Sequence, residues 1–133
     1  MRAAVAWVAG IVCGINGLAM ILAPLDWYGA LPGVADTGPF NPHFIRDIGC
    51  AYLLAGVALG VAGHGIVRHA AIPAAAFLVL HAFVHLADFA AGREDFHHLL
   101  GDLPGVFVLP VVAVWIAWSK PLRKGGKLHA RDG

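Results

Sequence analysis

At 133 residues, 59% hydrophobic and 13% charged, with a mean hydropathy of +0.76, the chain is too apolar for a soluble domain. Such a domain carries about 25% charged residues and has no means of hiding this much apolar surface from water. A formal net charge of +1, with no basic patch interleaved with aromatics, argues against nucleic acid as a partner and leaves membrane lipids as the expected surroundings.

Crossing the hydrocarbon takes about 20 apolar residues in a helix, and four stretches meet or approach that length. The first, 3–22, stops before Pro24. Arg2 gives it the basic start of a signal peptide, but the apolar run is too long and no small-residue cleavage site follows, so a retained helix is expected. The connection over 25–42 is the one long loop. Trp27, Tyr28 and several apolar residues make it unlike a floppy linker, and it is expected to fold back as a cap over the outer end of the bundle. The second helix, 43–62, follows Asn41-Pro42, a cap residue and a first-turn proline. The third, 70–91, tolerates Pro73 in its first turn. The fourth, 103–118, has Asp102 as its expected N-cap and a kink at Pro110. Residues 119–133 read as a basic cytoplasmic tail touching anionic headgroups. The expectation is an all-α, four-helix transmembrane bundle forming a single domain. Within it Cys13 and Cys50 read as small buried hydrophobes rather than a disulfide.

Orientation follows from lysine and arginine placement. Four spans put the N-terminus, the 63–69 turn and the tail on one side. That side holds Arg2, Arg68, Lys120, Arg123, Lys124, Lys127 and Arg131, seven of the nine basic residues. This predicts both termini in the cytoplasm. Trp7 and Trp118 would then mark the inner interface, and Trp27 and Tyr28 the outer one.

The acidic residues are sorted the other way. Asp26, Asp36, Asp47, Asp88, Glu94, Asp95 and Asp102 fall toward the outer side, together with His43, His81, His85, His97 and His98. His81, His85 and Asp88 stand at i, i+4 and i+7 on the third helix, hence on one stripe. His43, Asp47 and Cys50 repeat that spacing on the second. His98 and Asp102 are four apart at the start of the fourth. Ionisable residues inside a span usually face the bundle interior or a wet cavity. Imidazole with carboxylate suits a transition metal, so His43, Asp47, His81, His85, Asp88 and His98 form the candidate ligand set, opening to the periplasmic face. Copper, iron or zinc is the expected metal. Haem held axially by His43 and His85 is the lesser variant.

Structural readings of the same residues stay open. Arg46 and Asp47 can form an ion pair with Asp88; Asp102 can serve only as a cap; His97 and His98 can be solvated, and His64 and His69 interfacial. No catalytic residue emerges. Ser119 and Thr37 are the lone serine and threonine, no H-E-x-x-H motif occurs, and a single glutamate, Glu94, cannot supply the paired E-x-x-H motifs of a ferritin-like site. Whether the chain is an enzyme stays open.

The run Asn41-Pro42-His43-Phe44-Ile45-Arg46-Asp47-Ile48-Gly49, continuing through Cys50 to Gly56, resembles the second helix of the DoxX-like superfamily of small four-helix bacterial membrane proteins. That helix carries Arg-Asp followed by Gly-x6-Gly, and His81 and His85 look like histidines in related families. His97-His98 have no counterpart there. The resemblance implies a bacterial plasma-membrane bundle with a redox-linked or accessory role, without identifying a reaction. Two functions follow. One is a metal, redox or proton site at the periplasmic face. The other is an accessory subunit, partnered by a larger membrane complex or by copies of itself, whose polar cluster is structural.

Overall fold

A computed structural model describes residues 1–65 and 67–119, the side chain of Arg68 excepted; the tail expected beyond Ser119 lies outside the described residues. Six helices follow one another: α1 (Arg2–Leu22), α2 (Pro24–Ala30), α3 (Pro42–Gly63), α4 (Ala71–Ala90), α5 (Phe96–Asp102) and α6 (Leu109–Trp118). Tight 3-10 turns occupy Val34–Thr37 and Arg68–Ala70, and a wide π-helical stretch, Leu103–Val108, joins α5 to α6. Four helical runs are long and apolar enough to cross a membrane: α1, α3, α4 and the continuous Phe96–Trp118, of 21, 22, 20 and 23 residues. At about 1.5 Å per residue each reaches roughly 30 Å, the thickness of the hydrocarbon.

Adjacent long helices run antiparallel. The Arg2 guanidinium donates to the Ser119 carbonyl at 2.9 Å, tying the start of α1 to the end of α6. Arg46 Nε donates to the Ile21 carbonyl at 3.2 Å, tying the end of α1 to the start of α3. The chain reversals carrying α2 and α5 therefore share the end opposite the N-terminus.

Glycine determines how closely α1 and α3 approach. A Cβ on Gly56 would stand 2.7 Å from the Gly10 carbonyl oxygen, and one on Gly17 would stand 2.6 Å from that of Gly49. Backbone thus touches backbone, the small-residue contact that membrane helices favour because lipid offers no hydrophobic drive for association. The core is correspondingly small-sided: Ala6, Ala9 and Cys13 on α1, Leu59 on α3, Leu78 on α4 and Ile116 on α6 are all buried. Large side chains such as Ile15, Leu54, Leu80 and Val111 point outward, an apolar surface larger than soluble monomers tolerate. Both cysteines are free, and Cys50 is exposed rather than buried.

Local rules account for the helix starts. The Asn41 side chain accepts from the amides of His43 and Phe44, with Pro42 in the first turn. The loop expected over 25–42 contains α2, which is anchored where Trp27 Nε1 donates to Asn16 Oδ1 at 2.9 Å. The fourth long helical run begins at Phe96 rather than near 103, and its capping carboxylate is Asp95, which accepts from the His98 amide at 2.8 Å. Asp102 makes no capping bond. The disturbance expected at Pro110 takes the form of the π-helical stretch just ahead of it. Proline cannot donate to the helix ladder, and its ring crowds the carbonyl four residues back, so a wider turn relieves both conflicts.

Candidate metal centre

The end of α4 creates the site. Gly92 adopts a left-handed conformation (φ 69°), the Arg93 amide bonds the Asp88 carbonyl at 2.9 Å, and the Gly92 amide bonds that of Phe89 at 3.0 Å. This is a Schellman closure, which satisfies the last carbonyls of a helix while reversing the chain. The reversal brings Glu94 back over His85. α5 then presents His98 and Asp102 four residues apart on one helical face, with Glu94 beside them just ahead of the Asp95 cap.

His85, Glu94, His98 and Asp102 converge, with one ligand atom from each lying within 4.8 Å of all the others. His85 Nδ1 hydrogen-bonds Asp102 Oδ2 at 2.7 Å. Glu94 Oε1 stands 3.9 Å from His85 Nδ1 and from His98 Nε2, and His98 Nε2 is 3.8 Å from Asp102 Oδ2. Their side chains are 16%, 6%, 12% and 15% exposed, in chain order. Tetrahedral coordination with bonds of about 2.1 Å sets donors about 3.4 Å apart, so movements within an ångström would close the set on one ion. Among the described residues, Glu94 Oε2 is the one buried side-chain oxygen or nitrogen with no hydrogen-bond partner. An orphaned buried carboxylate oxygen costs about 1–3 kcal/mol or more, and a cation beside it is the direct remedy.

Of the six residues expected from sequence, two belong to this set: His85 and His98. His81 lies one turn back along α4, its ring edge-on to His85 at a centroid distance of 4.9 Å, stacked on Phe77 and edge-on to Tyr52. His43 and Asp47 do not reach the cluster; they face each other at 3.5 Å, 89% and 63% exposed. The reason is angular. Ile45, Gly49 and Tyr52 form the buried stripe of α3, and a shift of two residues turns a side chain about 200° around the helix. The stripe of His43, Asp47 and Cys50 therefore faces away. The suggested haem pairing of His43 with His85 loses its geometry for the same reason. Asp88 is engaged by Arg93, at 2.7 Å from Nε and 2.5 Å from Nη2, and not by Arg46 or Asp47. His97 is exposed.

Glu94 and Asp102 were the residues outside the expected set. Their signal was E-x3-H-x3-D centred on His98. It was obscured because 94–102 read as loop and Asp102 as a cap, whereas Asp95 does the capping.

Beside the cluster, the loop ahead of α3 touches His98. Gly33 adopts φ 83°, and a Cβ there would stand 2.5 Å from His98 Cε1. The Tyr28 hydroxyl lies 2.7 Å from the Gly38 carbonyl oxygen and 3.3 Å from that of Ala35.

No family model, no curated protein and no solved structure matches the chain. What stands is a small all-α protein with four long apolar helices and a half-buried His/His/Glu/Asp cluster able to hold a metal ion.

Proposed function

We propose that this is a multi-pass membrane protein that binds one divalent transition-metal ion through His85, Glu94, His98 and Asp102. The observation that carries the reading is the buried, partnerless Oε2 of Glu94 inside a converging donor set. Two carboxylates bring two negative charges, which a divalent cation neutralises, and taking ionised groups out of water is tolerated only when they are compensated. Two nitrogens and two oxygens suit zinc, ferrous iron or manganese. Copper(I) would favour thiolate, and both cysteines lie outside the set. Two histidines with a carboxylate also match the pattern that leaves coordination positions open for redox chemistry at iron.

The distribution of basic residues supports both termini in the cytoplasm of a bacterial plasma membrane, with the site and its covering loop at the periplasmic face. The likeness of 41–56 to DoxX-like proteins supports the same placement. The second reading, an accessory subunit with a structural cluster, draws on the His85–Asp102 hydrogen bond, which links α4 to α5 without any ion. A purely structural cluster leaves Glu94 unexplained.

Elemental analysis of protein purified in mild detergent, without a polyhistidine tag, tests the proposal. Stoichiometric metal, lost in a His85→Ala/His98→Ala double variant, is the expected result. A metal-free wild type that takes up no zinc, iron or manganese on titration would overturn it in favour of the structural cluster.

A further inference from the structure

His98 is held in the cluster in an unusual way. It belongs to a helix of seven residues, and its Nε2 lies 3.8 and 3.9 Å from the two carboxylates, too far for hydrogen bonds. Among the described residues no hydrogen bond orients its ring. What lies against the ring is Gly33: the space a Cβ would need there is taken by Cε1, Nδ1 and Nε2 of His98, at 2.5, 2.8 and 2.9 Å. Glycine is required at this position twice over, by the left-handed φ of 83° and by the imidazole against it.

The loop that carries Gly33 is itself tied down. The Asp36 amide donates to the Gly33 carbonyl at 2.9 Å, and Thr37 Oγ1 donates to that of Val34 at 2.8 Å. The Tyr28 hydroxyl donates into the pair of carbonyls of Ala35 and Gly38, and its ring meets Phe40 edge-on at 5.4 Å. Trp27, next to Tyr28, anchors α2 to Asn16 of α1. A line of contacts therefore runs from Asn16 of α1 through Trp27 and Tyr28 of α2 to the loop that carries Gly33, and from Gly33 to the imidazole of His98.

We propose that residues 31–41 act as a strap that positions His98 as a metal ligand, with Gly33 and Tyr28 as its positioning residues. The inference rests on the metal reading above and assigns a role to chain that supplies no ligand. All four donors lie between residues 85 and 102, in one reversal of the chain. That reversal does not orient His98 unaided, and the strap supplies the missing constraint. Groups that orient a metal ligand typically govern affinity by 10–100-fold.

Cobalt(II) titration of the full-length, tag-free protein in detergent tests this, because its visible d–d bands report the number and kind of donors. Gly33→Ala pushes a methyl group into the His98 ring. It is expected to weaken cobalt binding by about 10–100-fold and to give the spectrum of His98→Ala. Tyr28→Phe keeps the ring and removes the loop anchor, so it is expected to shift affinity and spectrum the same way without disturbing the helices. Gly29→Ala, whose added Cβ meets nothing within 4 Å, should match the wild type. Wild-type spectra and affinities in both Gly33→Ala and Tyr28→Phe would overturn the strap while leaving the metal site standing. No cobalt uptake by the wild type would overturn the metal reading and the strap together.

Discussion

Glu94 shows how one atom can direct a functional reading. Its carboxylate is more deeply buried than its three neighbours, and one of its oxygens bonds nothing. Glu94→Gln keeps the shape and removes the charge, so two effects of opposite sign are expected. Metal-free protein should become more stable by about 1 kcal/mol, since an uncompensated buried charge is gone. Metal affinity should fall at least tenfold. Thermal unfolding with and without metal, in detergent, reads both, and a variant less stable in each condition would contradict the assignment. His85→Ala should abolish binding, whereas His43→Ala and His64→Ala should retain it, as elemental analysis would report. Metal must displace protons from imidazole and carboxylate, so affinity is expected to decline as pH is lowered.

Helix packing raises a separate question of stability. The α1–α3 contact is built from glycine, and it discriminates between positions. Gly56→Ala places a methyl carbon 2.7 Å from the Gly10 carbonyl oxygen and from the Gly14 amide nitrogen. Backbone cannot rotate away as a side chain can, so a loss of about 1–3 kcal/mol is expected. Gly14→Ala points its methyl into open space and should leave stability unchanged or slightly raised. Equal effects of the two on detergent or thermal denaturation would contradict the close approach. At the α4–α5 reversal, Gly92→Ala forces an L-residue to φ 69° at a cost of about 1–2 kcal/mol. Because that turn places Glu94 over His85, metal affinity should fall along with stability.

Viewed whole, the molecule separates its two ends chemically. The N-terminus, the α3–α4 turn and the end of α6 lie at one end, where Trp7 packs edge-on to His64 at 4.8 Å. The His85, Glu94, His98 and Asp102 cluster and the loop against it lie at the other. If both termini are cytoplasmic, a fluorescent protein fused to the C-terminus should mature and fluoresce, and a reporter active only in the periplasm should be silent there. The reverse pattern would invert the orientation. An ion that binds the folded state alone stabilises it by about 2.7 kcal/mol at a hundred times its dissociation constant, so a metal-dependent rise in melting temperature is the molecule-wide signature of the site.

The number of long apolar helices, the Asn41 cap and the gathering of acidic and histidine residues toward one end were legible in residue order, because hydropathy, capping and charge sorting are local properties. Even the i, i+4, i+7 stripe of His43, Asp47 and Cys50 was a real stripe; its direction was not legible. Which face of a helix turns inward depends on its neighbours, and α3 turns its glycine face toward α1, leaving His43 and Asp47 outside. The true partners of His85 and His98 were hidden by a single capping choice. With Asp95 as the cap, a short α5 forms and Asp102 is free to bond His85. The placing of Glu94 over His85 depends on the geometry of the Gly92 reversal, and that of Gly33 against His98 on packing between residues distant in sequence. Those contacts arise only once the helices have assembled in three dimensions.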